Sequence, residues 1–248
     1  MRSVNSESVS DYLKRKEERQ KLREAREYCH RCRKPKITCY CGDLVTIHTS
    51  VKIVILMHPL EAKHPVGTGR LTHQCLSNSE LILGVDFTHN AQVNALIGDQ
   101  QYQAMVLFPG SRSQNLSKLS PVEKLALCPA GRVPLVFVLD GTWHLARKIL
   151  FRSKNLQLLP QVSFTPAAPS QFKVRKQPRA ECYSTLEATH ELLRLLTPVD
   201  EYEQKQEVGR LLNVFHQMVT RQMSFKNVGP SRHRINYLRR KVKNEVSY

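Results

Sequence analysis

A bare apolar run that ends in an acidic residue constrains the fold of this chain more than any other feature. Leu135 to Leu139 contains only β-branched and large apolar residues, and the segment DGTW, Asp140 to Trp143, follows it with the only tryptophan of the chain. An uninterrupted apolar run of this length is typical of a strand that is buried on both faces of a parallel sheet. Residues 133–151 therefore predict a strand, a tight turn and a helix.

This prediction places Asp140 at the carboxyl end of a strand, where open α/β sheets bind their ligands. Asp140 and Trp143 are therefore candidates for chemistry. The alternative interpretation is a helix cap, in which Asp140 or Thr142 accepts a hydrogen bond from the first N–H groups of the next helix and Trp143 belongs to the core. The segment alone favours neither interpretation.

Two further apolar runs end in short polar or turn-forming segments. Val51 to Met57 leads into His58-Pro59-Leu60-Glu61, and Ala104 to Phe108 leads into Pro109-Gly110-Ser111. If the three strands are parallel neighbours, their three loops line one crevice.

The remaining predicted elements are mostly helices. They are a helix from Thr68 through Leu83, helices over 91–97, 121–127 and 142–153, a strand-like segment over 156–164, a helix from the capping box Ser184–Glu187 to near Pro198, and a long helix over 200–223.

The chain lacks the common catalytic motifs. It contains no G-x-G-x-x-G after a strand, no G-x-x-x-x-G-K-[ST] phosphate loop, no H-E-x-x-H helix, no G-x-S-x-G elbow, and no H-x-E with P-C-x-x-C. These absences remove support for the usual dinucleotide-binding, P-loop, zinc-protease, hydrolase and deaminase classes. Cys75, Cys128 and Cys182 are scattered, which is typical of small core residues.

The charge balance predicts a polyanionic partner. Lys and Arg number 38 against 21 Asp and Glu, a formal charge of +17, and nucleic acid is the first candidate. There is no apolar run of the roughly 18 residues that a membrane helix needs, so no membrane partner is expected. Residues 1–27 are polar and charged, unlike a signal peptide, which predicts a cytoplasmic location and reduced cysteines.

Four cysteines occur within thirteen residues. Cys29, Cys32, Cys39 and Cys41 form a C-x2-C followed after six residues by C-x-C, a set that can surround one tetrahedral zinc ion. The alternative, four thiols without metal, would leave a basic segment with almost no core. Arg31, Arg33 and Lys34 on this knuckle suit it to the phosphate backbone of a nucleic acid.

The predicted order of domains is simple. A charged N-terminal helix (1–27) precedes the zinc knuckle (28–43), an α/β domain with C-terminal helices (44–223) and a basic tail (224–248) that includes Arg239 and Arg240. The tail is predicted to be an RNA-binding arm because it is rich in Lys and Arg.

The order of the motifs along the chain resembles that of the DTW-domain proteins, and within them that of the bacterial tRNA-uridine aminocarboxypropyltransferases. The resemblance covers roughly residues 28–198. It rests on the four-cysteine knuckle, H-P-x-E, T-G-R-L from Thr68, L-F-P-G from Leu107, L-D-G-T-W-x-x-A-R-K, L-P-x-V from Leu159 and S-T-L-E-A from Ser184. D-x-T-W alone would be a weak signal, whereas the ordered set is specific.

The resemblance implies a SPOUT-like α/β fold with a mostly parallel sheet and a C-terminal trefoil knot. It also implies S-adenosylmethionine as the donor of a 3-amino-3-carboxypropyl group, N3 of a uridine in tRNA as the acceptor, and methylthioadenosine as the leaving group. An RNA methyltransferase on the same fold and a zinc-dependent RNA-binding protein without catalysis are the alternatives.

Within that family function, Asp140 either holds the ammonium group of the donor or removes the N3 proton, and the first role is favoured for a carboxylate of ordinary acidity. Trp143 is expected to line the pocket. His58 and Glu61 are either site residues or a local pair. The other residues expected near the donor are Thr68, Gly69, Leu107, Phe108, Pro109, Gly110, Thr142, Leu159, Val162, Ser184 and Thr185, and those expected to contact tRNA near the site are Arg175, Lys176 and Arg179.

Overall fold

The structure is a computed structural model that describes residues 8–24, 27–64, 66–175, 181–198 and 202–224. It divides into two compact units, one from the described parts of Met1–Cys39 and Arg221–Tyr248, the other from those of Tyr40–Thr220. The predicted RNA contacts Lys176, Arg179, Arg239 and Arg240 lie outside the described residues.

The larger unit is built on a six-stranded parallel sheet with the order β2-β1-β5-β3-β6-β4. Its strands are β1 (Lys52–Met57), β2 (Ser79–Leu83), β3 (Tyr102–Leu107), β4 (Ser113–Asn115), β5 (Val133–Asp140) and β6 (Gln161–Ser163). The predicted α/β class with a mostly parallel sheet is thereby confirmed.

The most apolar strands lie at the centre of the sheet. From Leu135 onward every residue of β5 is buried, and β1 is buried from Ile53 onward. The register pairs Met57 of β1 with Asp140 of β5, and Leu107 of β3 with Val138 of β5. Because the strands are parallel and in this register, the three loops that follow them leave the sheet at the same edge.

Helices and short turns connect the strands. The α-helices of the described residues are α1 (Val9–Glu24), α2 (Pro59–Ala62), α3 (Gly69–Cys75), α4 (Ala91–Gly98), α5 (Pro121–Ala126), α6 (Trp143–Arg152), α7 (Lys154–Gln157), α8 (Thr185–Leu196) and α9 (Tyr202–Ser224), with 3-10 turns at Lys36–Thr38, Cys41–Asp43 and Leu116–Lys118. No helix within the described ranges is long and apolar enough to cross a membrane.

The core follows from the packing of α4, α6 and α7 on the sheet. One buried cluster joins the helices to the sheet. It includes Val54 of β1, Phe137 of β5, Ile149 of α6, Leu156 of α7 and Phe87, which precedes α4. Burial of each such side chain contributes about 1.5–3 kcal/mol relative to exposure. This cluster holds the central strands, and therefore their carboxyl ends, in fixed positions.

Three parts of the predicted secondary structure are wrong. The helix expected through Leu83 ends at Cys75, and Ser79–Leu83 forms β2 because long-range pairing with β1 prevails over a local pattern that suits both structures. Leu156 lies in α7, so the strand expected over 156–164 is reduced to β6. The polar strand β4 carries no apolar pattern and was not expected.

The smaller unit contains α1 and the start of the cysteine-rich segment. Tyr28 and Pro35 form an antiparallel bridge, and the N–H of Cys29 donates to the carbonyl of Lys34 at 2.8 Å. Arg33 occupies the left-handed region with φ 57° at the turn between them. This tight turn brings the chain back on itself directly after Cys32.

Candidate active site

The three predicted strand ends meet at one edge of the sheet, as expected. The backbone N–H of His58, which follows β1, donates to the carbonyl of Asp140 at 2.9 Å. A cavity of about 1030 Å³, here called the strand-end cavity, opens at this edge and is lined by residues that follow β1, β3 and β5. Its size is at the upper end of the range for small-molecule sites, which is on the order of 300–1,000 Å³.

Most of the predicted pocket residues line this cavity. They are Thr68, Leu107, Phe108, Pro109, Asp140, Thr142, Trp143, Ser184 and Thr185, together with Arg175, which was expected to contact RNA. Gly69 contacts Asp140 instead. Gly110, Leu159 and Val162 are not among the lining residues: Leu159 packs against the core, and Val162 is fully buried in β6.

Asp140 is the most perturbed acidic group of the cavity. Its side chain is 2% exposed, Oδ1 accepts a short hydrogen bond from the hydroxyl of Thr185, and Oδ2 is buried without a hydrogen-bond partner among the described residues. The pKa of Asp140 is raised from 3.8 to about 7, mainly by burial and to a smaller extent by the negative charge of Glu61, although the Thr185 hydrogen bond and the positive charges of Arg175 and Arg70 oppose the rise. Near neutral pH this carboxyl group is therefore able both to hold and to release a proton.

Gly69 leaves the space that the Asp140 carboxyl group occupies. A Cβ atom at position 69 would lie 2.6 Å from Cγ of Asp140 and 3.0 Å from Oδ1, closer than van der Waals contact allows. The first turn of α3 is therefore able to pack directly on the carboxyl group only because residue 69 has no side chain.

A partly buried ion pair forms another part of the cavity wall. Arg175 donates from Nη1 to Oε1 of Glu61 at 2.5 Å and from Nη2 to Oε2 at 3.1 Å. Glu61 is 4% exposed and Arg175 is 23% exposed. His58 and Glu61 are linked locally through the backbone, because the N–H of Glu61 donates to the carbonyl of His58 at 2.8 Å. Their side chains have other hydrogen-bond partners: His58 Nδ1 accepts from the backbone N–H of Leu60 at 3.2 Å, and the Glu61 carboxylate pairs with a residue 114 positions away.

An aromatic stack supplies an apolar wall. The rings of Phe108 and Trp143 are nearly parallel, at an angle of 8°, with centroids 5.2 Å apart. Phe108 is buried, but Trp143 is 47% exposed, so Trp143 is not the core residue of the alternative interpretation. The half-exposed indole leaves an aromatic surface on which a flat ligand group can pack.

Two helix N-termini also reach the cavity. Thr142 caps α6 by accepting from the N–H of Leu145, and Ser184 caps α8 in a capping box with Glu187. The capping role considered for Thr142 and Ser184 is thus correct, and both residues line the cavity as well. The partial positive charge of helix N-termini makes this part of the wall favourable for negative groups.

Several lining residues had no recognisable sequence signal. Phe164, Phe172 and Tyr183 add aromatic surface, and Glu181 and Cys182 add polar groups. Cys182 is half-buried at the cavity, whereas Cys75 is fully buried as expected of a small core residue. Only the position of Tyr183 directly before the Ser184 capping box could have suggested its place.

The four predicted metal ligands form one cluster. The Sγ atoms of Cys29, Cys32, Cys39 and Cys41 lie within 4.8 Å of one another, and those of Cys32 and Cys39 are 3.6 Å apart. A tetrahedral zinc ion with Zn–S distances of about 2.3 Å requires sulfurs about 3.8 Å apart, so the four thiols fit such an ion. Of the nearby predicted RNA contacts, Arg31 and Arg33 are exposed and Lys34 is buried.

Relatives of this chain are named as tRNA-modifying enzymes. It is similar to "tRNA-uridine aminocarboxypropyltransferase 2" of Mus musculus, with 28% identity over 70% of this chain and 57% of the mouse protein. The Drosophila melanogaster protein of the same name is 29% identical over 72% and 70% of the two chains. "tRNA-uridine aminocarboxypropyltransferase A" of Arabidopsis thaliana is 25% identical over 92% of each chain. The chain thus spans less than two thirds of the mouse relative.

No solved structure gives a significant match to this chain. The relatives reported above are eukaryotic, so the bacterial subgroup that the motifs resemble stays a prediction. The family itself is clear, because the DTW domain matches residues 26–223, from the cysteine-rich segment to the end of α9. This chain belongs to the DTW-domain family.

Proposed function

We propose that this protein transfers the 3-amino-3-carboxypropyl group of S-adenosylmethionine to N3 of a uridine in tRNA. The observation that carries the proposal is the buried carboxyl group of Asp140, with its pKa raised to about 7, in a cavity large enough for a nucleoside-sized donor. The names of the relatives state tRNA-uridine aminocarboxypropyl transfer for those proteins.

Asp140 is proposed to remove the proton from N3. A carboxylate of ordinary acidity is a poor base for the weakly acidic uridine imide, but a carboxylate with a pKa near 7 is better matched to the task. Its unpartnered Oδ2 has capacity to accept that proton. These properties favour proton removal over the alternative role, in which Asp140 anchors the ammonium group of the donor.

S-adenosylmethionine supplies a sulfonium that activates its attached carbons toward displacement. In the proposed reaction the N3 proton passes to Asp140, and N3 forms a bond to the carbon of the aminocarboxypropyl chain that is attached to sulfur. The carbon–sulfur bond breaks, its electron pair stays on sulfur, and methylthioadenosine leaves. Phe108 and Trp143 would bound the site with aromatic surface, while Thr68, Thr142, Ser184 and Thr185 offer hydroxyl groups. The chain's contribution is therefore to select which carbon faces the uridine.

The proposed partner is tRNA. The charge of +17 supports a polyanionic partner, and the exposed Arg31 and Arg33 are candidate phosphate contacts. The basic tail with Arg239 and Arg240 is proposed as an additional contact. Removal of residues 224–248 is expected to weaken tRNA binding and flatten its dependence on salt, and an unchanged salt slope would exclude the tail from the interface.

Three further features belong to the same proposal. The cysteine cluster is proposed to hold one structural zinc ion, because four thiolates at these distances suit a closed tetrahedral site. The parallel sheet is compatible with a SPOUT-like fold that carries a C-terminal trefoil knot. The four-part division into N-terminal helix, knuckle, α/β domain and tail, and the cytoplasmic location, stay proposals from the sequence.

The test is product analysis. The protein is incubated with S-adenosylmethionine and unmodified tRNA, and the tRNA is digested to nucleosides for mass spectrometry. An aminocarboxypropyl mass gain on uridine with release of methylthioadenosine is expected. A methyl gain with S-adenosylhomocysteine would indicate a methyltransferase, and tRNA binding without any mass gain would indicate a non-catalytic RNA-binding protein.

A variant separates the role of Asp140 from RNA binding. Asp140→Ala is expected to abolish transfer and to leave tRNA affinity nearly unchanged. The matched control is Asp86→Ala, because Asp86 is an exposed acidic residue that does not line the cavity. Loss of tRNA affinity in Asp140→Ala alone would assign Asp140 a structural role.

A further inference from the structure

We infer that the Glu61–Arg175 ion pair is the subsite for the amino acid end of the donor, with Arg175 binding its carboxylate and Glu61 its ammonium group. The inference rests on the proposed function, because it names the residues that hold one part of the proposed donor. The aminocarboxypropyl group ends in a zwitterion, in which a negative carboxylate and a positive ammonium group are attached to the same carbon.

Among the described residues, the ion pair has unused capacity for hydrogen bonds. A guanidinium group has five N–H donors, and two of those of Arg175 are given to Glu61. The Glu61 carboxylate has about four acceptor sites, of which Arg175 occupies two. The pair is therefore able to remain intact while each partner contacts the opposite charge of a zwitterion.

The ion pair lies in the wall of the cavity, with its carboxylate buried. Glu61 is 4% exposed and lines the strand-end cavity together with Arg175. An ion pair with one buried partner is often no more stabilising than apolar residues of the same volume, so stability alone gives little reason for this pair. A zwitterionic ligand, in contrast, requires both charges at one place.

Other groups of the cavity match the zwitterion less well. Asp140 can offer only a negative charge, and near neutral pH it is partly protonated because burial raises its pKa. The helix N-termini at Thr142 and Ser184 can attract the carboxylate but offer nothing to the ammonium group. Glu61 and Arg175 present both charges within 3.1 Å of each other.

The location also suits the chemistry of transfer. Glu61, Arg175 and Asp140 all line the strand-end cavity, so the pair and the proposed base face the same ligand space. A donor anchored there by its amino acid end presents the aminocarboxypropyl chain, rather than the methyl group, toward Asp140. The ion pair would thus determine which of the activated carbons is transferred.

The test compares three ligands by isothermal titration calorimetry. S-adenosylmethionine carries the whole zwitterion, decarboxylated S-adenosylmethionine lacks the carboxylate, and methylthioadenosine lacks both charged groups. Wild-type protein is expected to lose affinity on the order of 10- to 100-fold when the carboxylate is removed, since hydrogen bonds to charged groups carry that much. Equal affinity for S-adenosylmethionine and its decarboxylated form would overturn the inference without any variant.

Two variants assign the charges. Arg175→Met is expected to weaken S-adenosylmethionine about tenfold or more, while the affinities for the decarboxylated form and for methylthioadenosine stay unchanged. Glu61→Gln is expected to weaken both ligands that carry the ammonium group and to leave methylthioadenosine unchanged. Equal losses for all three ligands would mean that the ion pair is only structural.

Arg194→Met is the matched control. Arg194 makes a two-pronged ion pair with Glu191, at 2.9 and 2.7 Å, and it does not line the strand-end cavity. Its loss is expected to leave all three affinities unchanged. If Arg175→Met does not fold, Arg175→Lys keeps the charge but loses the fork, and it should weaken only S-adenosylmethionine.

The outcomes separate the inference from the proposed function. If wild-type protein binds S-adenosylmethionine but the Arg175 and Glu61 variants bind it equally well, the inference fails and the transferase remains. If the ligand pattern holds but the product is S-adenosylhomocysteine, the transferase fails and the subsite remains. If wild-type protein does not bind S-adenosylmethionine, the proposed function fails and removes the basis of the inference.

Discussion

The hydroxyl of Thr185 donates to Oδ1 of Asp140, 45 residues earlier in the chain. This hydrogen bond stabilises the ionised carboxylate and so lowers the pKa of Asp140 against the larger upward effect of burial. The first residue of α8 therefore lowers the pKa of the proposed base.

Replacement of Thr185 is expected to change the pH dependence of transfer. With Asp140 as the base, the rate of wild-type protein should rise with pH and level off above about 7. Thr185→Val removes the donor at nearly constant volume, so the pKa of Asp140 rises and the inflection should move to higher pH. Thr185→Ser keeps the hydroxyl and should retain the wild-type profile. Single-turnover rates between pH 5.5 and about 9 measure the shift, and an unmoved inflection in Thr185→Val would contradict it.

Asp140→Asn is expected to change how stability depends on pH. In the folded protein Asp140 keeps its proton up to about pH 7, but in the unfolded chain it loses it near 3.8, so the native state binds more protons in between. The contribution of this group to stability is therefore complete below about 3.8 and is lost as the pH rises through about 7. Asparagine does not titrate, so in Asp140→Asn this group causes no loss of stability as the pH rises.

Urea unfolding at pH 5 and pH 8 measures this effect. Between those values the stability of Asp140→Asn relative to wild-type protein should increase by roughly 2–3 kcal/mol. Asp86→Asn is the control, since hydrogen bonds from Thr88 lower the pKa of Asp86, so that this group is ionised in the folded and the unfolded chain at both pH values and its replacement should not change how stability varies between them. A stability difference that is the same at both pH values would show that Asp140 is not a perturbed acid.

Trp143→Ala is expected to reduce transfer far more than stability. The ring is 47% exposed, so its removal should cost only about 1 kcal/mol, mainly from the lost stack on Phe108. The Michaelis constant for the donor should rise, whereas Trp143→Phe should keep much of the aromatic surface. Phe151→Ala, at a 63% exposed position of the same helix, is the control. Equal transfer by Trp143→Ala and Phe151→Ala would remove Trp143 from the site.

Metal analysis is expected to find one zinc ion per chain. Cys32→Ser or Cys39→Ser should lower the zinc content below one equivalent and destabilise the cysteine-rich segment, because the ion holds a segment with little core of its own. Cys128→Ser is the control, since Cys128 lies outside the cluster and donates to the carbonyl of Arg132. Full zinc retention in both cluster variants would exclude the proposed site.

The strand ends could be predicted from sequence because their signals are local. Each central strand is an apolar run that is followed within two residues by Pro or Gly, and the parallel arrangement could be predicted from the burial of β5 on both faces. The same local reasoning failed for β2, an edge strand with only partial burial, because its pairing with β1 decides its structure.

The electrostatics of the site could not be predicted in the same way. The partner of Glu61 lies 114 residues further along the chain, and no local pattern links the two. The raised pKa of Asp140 depends on burial by α3 and α8, which is a property of tertiary packing. Residue types indicated where chemistry could occur, and only the packing indicated which role each carboxylate suits.

The separation of Glu61 from Arg175 and of Asp140 from Thr185 has a consequence for biosynthesis. A nascent chain exposes both acidic residues before their partners have left the ribosome. Contacts of such long sequence separation form slowly. Glu61 and Asp140 therefore remain without these partners until the segment that carries Arg175 and Thr185 has been translated. We therefore expect the strand-end cavity to be one of the last parts of this protein to form.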